Sequence, residues 1–284
     1  MIPPALRLRG GAPSLLAVAV LALTGFVGCS RSPERDASWS AASGDVERLD
    51  SLLRRELGFA PASFSLGSRL DSLGRGLERF RDSAFESRVA AVAERLASPE
   101  GISPVPHPSD TDLVPSLALE RHRGGCTSLA LAWRVLGARA GLRLDAVLLP
   151  GHATLRDSSG RFVEPLRGGL ERDSVFYDSA FQLSARPGYV LRAAPRGLEA
   201  AMAVQGGLLA WKAGRSRSAL DAFRTASLLA PGLPEAEGNL GLLLESTGER
   251  DSALVHLGIA VAGDPLHRAA RSRLEALRRS ATRW

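Results

Sequence analysis

Four residue pairs in the last third of the chain recur at a single spacing. Gly207 and Gly241, Ala219 and Ala253, Ala226 and Ala260, and Pro231 and Pro265 each lie 34 residues apart. A period of this length marks a repeated helix–turn–helix unit, and it limits the segment to a stack of helix pairs. The recurring residues are those that such a stack needs. Small residues at Gly207/Gly241 and Ala219/Ala253 let paired helices approach closely, and Pro231 and Pro265 stop each second helix. "RAARSRLEALRR" (268–279) supplies a closing helix with a polar outer face. Two units are fewer than the roughly three that stand alone, so they are expected to pack on whatever precedes them.

Residues 45–195 are patterned differently. "DVERLDSLLRREL" (45–57) places Val46, Leu49, Leu52, Leu53 and Leu57 on one helical face. A second helix is expected near "SAFE", where Ser83 and Glu86 have capping-box spacing and Phe85, Val89, Val92 and Leu96 form the buried stripe. Residues 98–116 carry five prolines and read as an extended loop. "CTSLALAWRVLGARAG" is apolar almost all round, as a central buried helix would be, and Gly141 suits its C-terminal cap. "LRLDAVLLP" reads as a strand and "HATLRDSSGRFVEP" as a hairpin. Helices followed by a small antiparallel sheet make an α+β fold, with an all-α region after it. The expected organisation is 1–28 as a leader, 29–44 as a polar tether, 45–195 as the α+β domain, and 198–284 as two repeats plus the closing helix.

The leader is legible. Arg7 and Arg9 precede "SLLAVAVLALTGFVG" (14–28), an apolar run short of the ~20 residues that span a bilayer. It ends in "FVGC", which resembles a bacterial lipobox and implies cleavage before Cys29 and lipid attachment there. The implied location is the cell envelope, lipid-anchored on the periplasmic side. Ser30, with no aspartate at that position, favours the outer membrane. Lipidation of Cys29 would leave Cys126 as a lone thiol.

A pI near 10.4 invites a nucleic-acid reading. The charge pattern argues against it: Lys212 is the only lysine, and the arginines are scattered among acids rather than gathered in a stripe. No metal-ligand spacing occurs, and the glycine-bearing stretches follow no strand, so neither a metal nor a dinucleotide cofactor is expected.

The chemistry concentrates around Cys126. A thiol attacks a carbonyl only as thiolate, and both a helix N-terminus and an adjacent imidazolium lower its pKa. Gly124 and Gly125 precede Cys126, so the backbone N–H groups of Gly125 and Cys126 are candidates for stabilising a substrate oxyanion. His152 opens a strand, where a base would be rigid. Glu164 lies opposite His152 if the hairpin loop has odd length or a bulge, and would orient the imidazole. His122 reads as a loop residue.

The stretch "GGCTSLALAWRVLGARAGLRLDAVLLPGHATLR…FVEPLRGG" resembles the transglutaminase-like core in its SirB-type bacterial branch, and the 34-residue units resemble tetratricopeptide repeats. The resemblance implies Cys126 as nucleophile, His152 as base and Glu164 in place of the family's aspartate. It implies acyl transfer or hydrolysis at peptide amides, with a protein or peptide partner on the repeats. The alternative it leaves open is a catalytically inactive adaptor that binds an envelope protein.

Overall fold

The computed structural model describes residues 46–189 and 194–281. The leader, the tether and Cys29 lie outside these residues.

The first amphipathic stretch forms α1 (Val46–Glu56), with Leu49, Leu52 and Leu53 buried. Next comes α2 (Leu66–Leu73), capped by the Ser65 hydroxyl, and then α3 (Phe85–Ala97). The α3 stripe is as expected, but the Ser83–Glu86 box does not form. Ala84 is the N-cap, with no side-chain cap hydrogen bond, and Glu86 pairs with Arg161 instead. The proline-rich stretch is more ordered than an extended loop. It holds β1 (Ser103–Pro104) and a 3₁₀ turn at Asp110–Leu113 capped by Ser109 and Asp112. It also starts α4 (Pro115–Arg121). Pro115 begins that helix, because at its first position the missing N–H would have had no partner.

After β2 (Arg123–Gly124), parallel to β1, comes α5 (Cys126–Arg139). It is the hub of the first core, with Leu129, Ala130, Leu131, Ala132, Trp133 and Leu136 buried. The strands β3 (Leu144–Leu149), β4 (His152–Asp157) and β5 (Phe162–Val163) form an antiparallel sheet in that order. Then α6 (Ser174–Phe181) packs aromatic side chains on β5.

Five helices follow: α7 (Gly197–Lys212), α8 (Ser216–Leu229), α9 (Pro234–Ser246), α10 (Arg250–Gly263) and α11 (Arg268–Ala281). The starts and ends of α8 and α10 keep the 34-residue offset. Pro231 and Pro265 each follow a helix end by two residues. Close approach explains the recurring glycines. A Cβ on Gly207 would lie 2.4 Å from Phe223, and one on Gly241 would lie 2.7 Å from Leu257.

These helices do not stand apart from the α+β part. One apolar cluster joins Leu49 and Leu53 of α1, Val147 and Leu149 of β3, Ala200 and Ala203 of α7, and Ala236 of α9. Arg215 and Ser218 of the first helix pair close on the buried Glu56 carboxylate at the end of α1. Two units alone would bury too little apolar surface, and this shared core supplies the rest.

Two glycine substitutions should move stability in opposite directions. Gly241→Val drives a side chain into Leu257, including its backbone nitrogen at 2.9 Å, and should cost ~1–3 kcal/mol. Gly258→Ala in α10 meets nothing within 4 Å and should gain about 1 kcal/mol of helix propensity. Thermal unfolding checks both. Equal Tm values would contradict the close-contact account of the period.

Candidate functional site

His152 is placed by a tight turn. Leu149 pairs with His152 across the β3–β4 ladder, leaving only Pro150 and Gly151 between the strands. Proline fixes its own φ and Gly151 adopts φ 65°, so the histidine begins β4 at a defined point. The ring is stacked on Phe181 of α6, at 5.6 Å between centroids and 4° between planes.

Glu164 reaches this ring by a different route from direct opposition. Leu155 pairs with Val163 and Arg156 with Phe162, a register that sets Glu164 beside Thr154, two residues along from His152. The contact is therefore diagonal, a distance that long side chains can bridge. Glu164 Oε2 accepts from His152 Nε2–H at 3.0 Å and from the Tyr177 hydroxyl at 3.2 Å. Its Oε1 accepts from the Leu166 backbone N–H at 3.2 Å. The extra methylene relative to aspartate gives the side chain its reach. The Tyr177 hydroxyl lies 2.8 Å from Thr154 Oγ1, so α6 braces both the carboxylate and the ring.

Cys126 opens α5 with its side chain half-buried. The glycine pair before it serves packing. A Cβ on Gly124 would lie 2.6 Å from Ser128 Oγ, and one on Gly125 would lie 2.6 Å from Leu113. The Gly125 N–H is engaged, donating to the Asp112 carbonyl at 2.7 Å, and the Ser128 hydroxyl donates to the same oxygen at 2.7 Å. This corrects the expectation that Gly125 lends its N–H to an oxyanion. The Cys126 N–H, at the first helical position, has no partner within its helix and is the group left for that task. Asp112 is held in turn by Arg123 at 2.9 and 3.1 Å.

The electrostatics follow from these contacts. Burial pushes the Cys126 thiol up, but the hydrogen bond and charge of His152 outweigh it, with help from Thr127 and the Ala153 N–H, and the thiol pKa is lowered. Burial disfavours the imidazolium, but Cys126 and Glu164 overcome this and raise His152 to about 9. Burial likewise opposes ionisation of Glu164, and His152, the Leu166 N–H and Tyr177 together reverse it. Burial, reinforced by the nearby Glu164 charge, keeps Tyr177 protonated and thus a donor. With Nε2 committed to Glu164, Nδ1 is the nitrogen left to serve the thiol. Each of the two groups favours the charged form of the other, and the Glu164 carboxylate favours the imidazolium further.

Cys126 and His152 line one cavity of about 210 Å³. Its far wall comes from the helix pairs, through residues such as Val204, Leu208 and Leu233. Cys126, His152 and Glu164 are thus brought together. His122 is not; it caps α4 in the left-handed region and its Nδ1 lies 3.1 Å from the Gly101 carbonyl. Among the described residues no cluster of three or more His, Cys, Asp or Glu is placed to hold a metal. Sequence reasoning missed Tyr177, Phe181 and Asp112. The signal for the first two is local: Phe176, Tyr177 and Phe181 fall within eight residues of a chain that is only 5% aromatic. Compared with family models, curated proteins and solved structures, the chain gives no match.

The rate of Cys126 alkylation should rise with pH through a midpoint below the ~8.5 of a free thiol. Glu164→Gln removes the charge that holds His152 protonated. The His152 pKa then falls, the thiolate loses its cationic partner, and the midpoint moves up. Glu164→Asp should shift it the same way, because the shorter side chain cannot span the diagonal. A stopped-flow pH profile decides, and unchanged midpoints would contradict this assignment of the contacts.

Proposed function

We propose that the chain is a lipid-anchored thiol enzyme of the transglutaminase-like kind, acting on peptide amides by acyl transfer or hydrolysis. Its C-terminal helices are read as tetratricopeptide repeats that close the cleft. The observation that carries the proposal is the 3.0 Å contact between His152 Nε2 and Glu164, with the thiol of lowered pKa lining the same cavity as the ring.

The chemistry then runs in two halves. The Cys126 thiolate attacks the amide carbonyl carbon, and the Cys126 N–H, at the positive end of α5, faces the developing oxyanion. Imidazolium His152 gives its proton to the departing amine, leaving a thioester and neutral imidazole. Water or an acceptor amine attacks the thioester, losing its proton to His152, and the thiolate is released as the acid or the new amide forms. Glu164 holds the ring and stabilises its charged state throughout. An inert scaffold would have little use for a half-buried thiol and imidazole beside a buried carboxylate, with the thiol and carboxylate lowered and the imidazole raised, and such perturbation concentrates at functional sites.

Cys126 should react with iodoacetamide at pH 6 faster than free cysteine does, and Cys126→Ala should abolish release of amine from a peptide amide. A thiol that reacts only after denaturation would leave the adaptor as the better account.

The anchor belongs to the same reading and rests on the sequence alone. Cys29→Ser should leave the precursor uncleaved and should remove labelling by an azido-palmitate analogue. Normal labelling of that variant would end the lipoprotein assignment.

A further inference from the structure

The 34-residue period places Ala201 and Glu235 at the same position of successive units, and both line the Cys126 cavity. The inner face of the helix pairs is therefore turned toward the thiol. Along α7, Ala201, Val204, Gln205 and Leu208 recur at helical spacing on that face. With Leu148 and Leu233 they make a wall that is apolar except at Gln205 and Glu235, with the exposed Lys212–Asp110 ion pair at its rim.

Those two points are incompletely satisfied. Glu235 Oε1 accepts from the Gly151 N–H at 3.0 Å, but its Oε2 is buried with no hydrogen-bond partner. Burial raises the Glu235 pKa, against the Tyr189 hydroxyl and the Gly151 N–H, which both favour its charge. Gln205 is 7% exposed. Its Nε2 donates to the Asp110 carbonyl at 3.0 Å, which fixes the amide and leaves Oε1 buried and unpartnered. A buried acceptor without a donor forfeits the hydration it had in the unfolded chain and gains nothing in return. Two in one cavity call for a ligand with several N–H donors.

The charges narrow the choice. Glu235 makes no ion pair among the described residues, and the cations nearest the cavity are already engaged. Lys212 is bound to Asp110 at 3.0 Å, and His152 to Glu164. An incoming cation would supply what Glu235 lacks, and an ammonium group carries three donors. The size narrows it further. A cavity of ~150 Å³ accommodates benzene, so about 210 Å³ suits one aliphatic side chain and its amine rather than an extended peptide.

We infer that the inner face of the helix pairs is a subsite for the N-terminal residue of a peptide. An aliphatic side chain lies against Leu148, Val204, Leu208 and Leu233, and its free α-ammonium group is held by Glu235 and Gln205. The inference rests on the thiol-enzyme reading for what happens next, but binding itself does not need the thiol. The test therefore uses full-length Cys126→Ala protein, titrated by calorimetry with leucinamide, N-acetyl-leucinamide and glycinamide. Leucinamide should bind at least about tenfold tighter than either of the others, as expected for one lost charge-assisted hydrogen bond or one lost apolar side chain. Adding Glu235→Gln should bring leucinamide down to the level of its acetylated form. Leu208→Asn, at a position 37% exposed and so tolerant of change, should bring it down to the level of glycinamide and carries the test if Glu235→Gln unfolds. Equal affinities, no binding, or a preference that survives both substitutions would overturn the subsite. The iodoacetamide rate of the unaltered protein reports separately on the thiol. A leucinamide preference beside an inert thiol would keep the subsite and remove the enzyme, and the reverse pattern would do the opposite.

Discussion

Much of the site depends on one diagonal contact, between Glu164 on the far side of the β4–β5 pair and His152 at the start of β4. The carboxylate is buried, which opposes its charge. It persists because three donors converge on it, from His152, Tyr177 and the Leu166 backbone. Remove that convergence and the imidazolium loses its support, then the thiol loses the charge that lowers its pKa. The sheet register, the aromatic side of α6 and the state of the sulfur are linked through one pair of oxygens.

The helix pairs enter this chain of dependence from the other side. Their apolar faces share a core with α1 and β3, and their inner face completes the cavity. Docking that would otherwise only compensate for a short repeat array also gives the thiol a wall of its own. A half-buried ionic clasp at Glu56 and a hydrogen bond at Gly151 tie the two parts together at separate points.

The period, the buried central helix, the hairpin and the stripe of α3 were legible in the sequence, because each is a repeating pattern with a direct physical meaning. Register was not. Glu164 would lie opposite His152 only if the loop had odd length or a bulge of the right size, and the hydrogen-bond ladder sets it beside Thr154. The glycine pair drew the eye to Cys126 for a reason that the structure replaces: Gly125 spends its N–H on the Asp112 carbonyl, and both glycines are there because Ser128, Leu113 and Pro108 leave no room for a Cβ. Pro115 looked like a loop residue because proline excludes helix interiors, yet at the first position it starts one. Tyr177 and Phe181 escaped because their role depends on where α6 lands, and no local pattern encodes that.

The bond from Gly151 to Glu235 crosses 84 residues of chain. It fastens the tip of the hairpin that carries the histidine to a helix made much later. On a growing chain, the strand bearing His152 emerges with its turn still untethered and one wall of the cleft not yet synthesised. Sequential folding from the N-terminus therefore cannot finish the cleft early. The cavity around Cys126 is completed last, when the C-terminal helices close over it, and a chain cut short before α9 would carry the residues of the site without its enclosure.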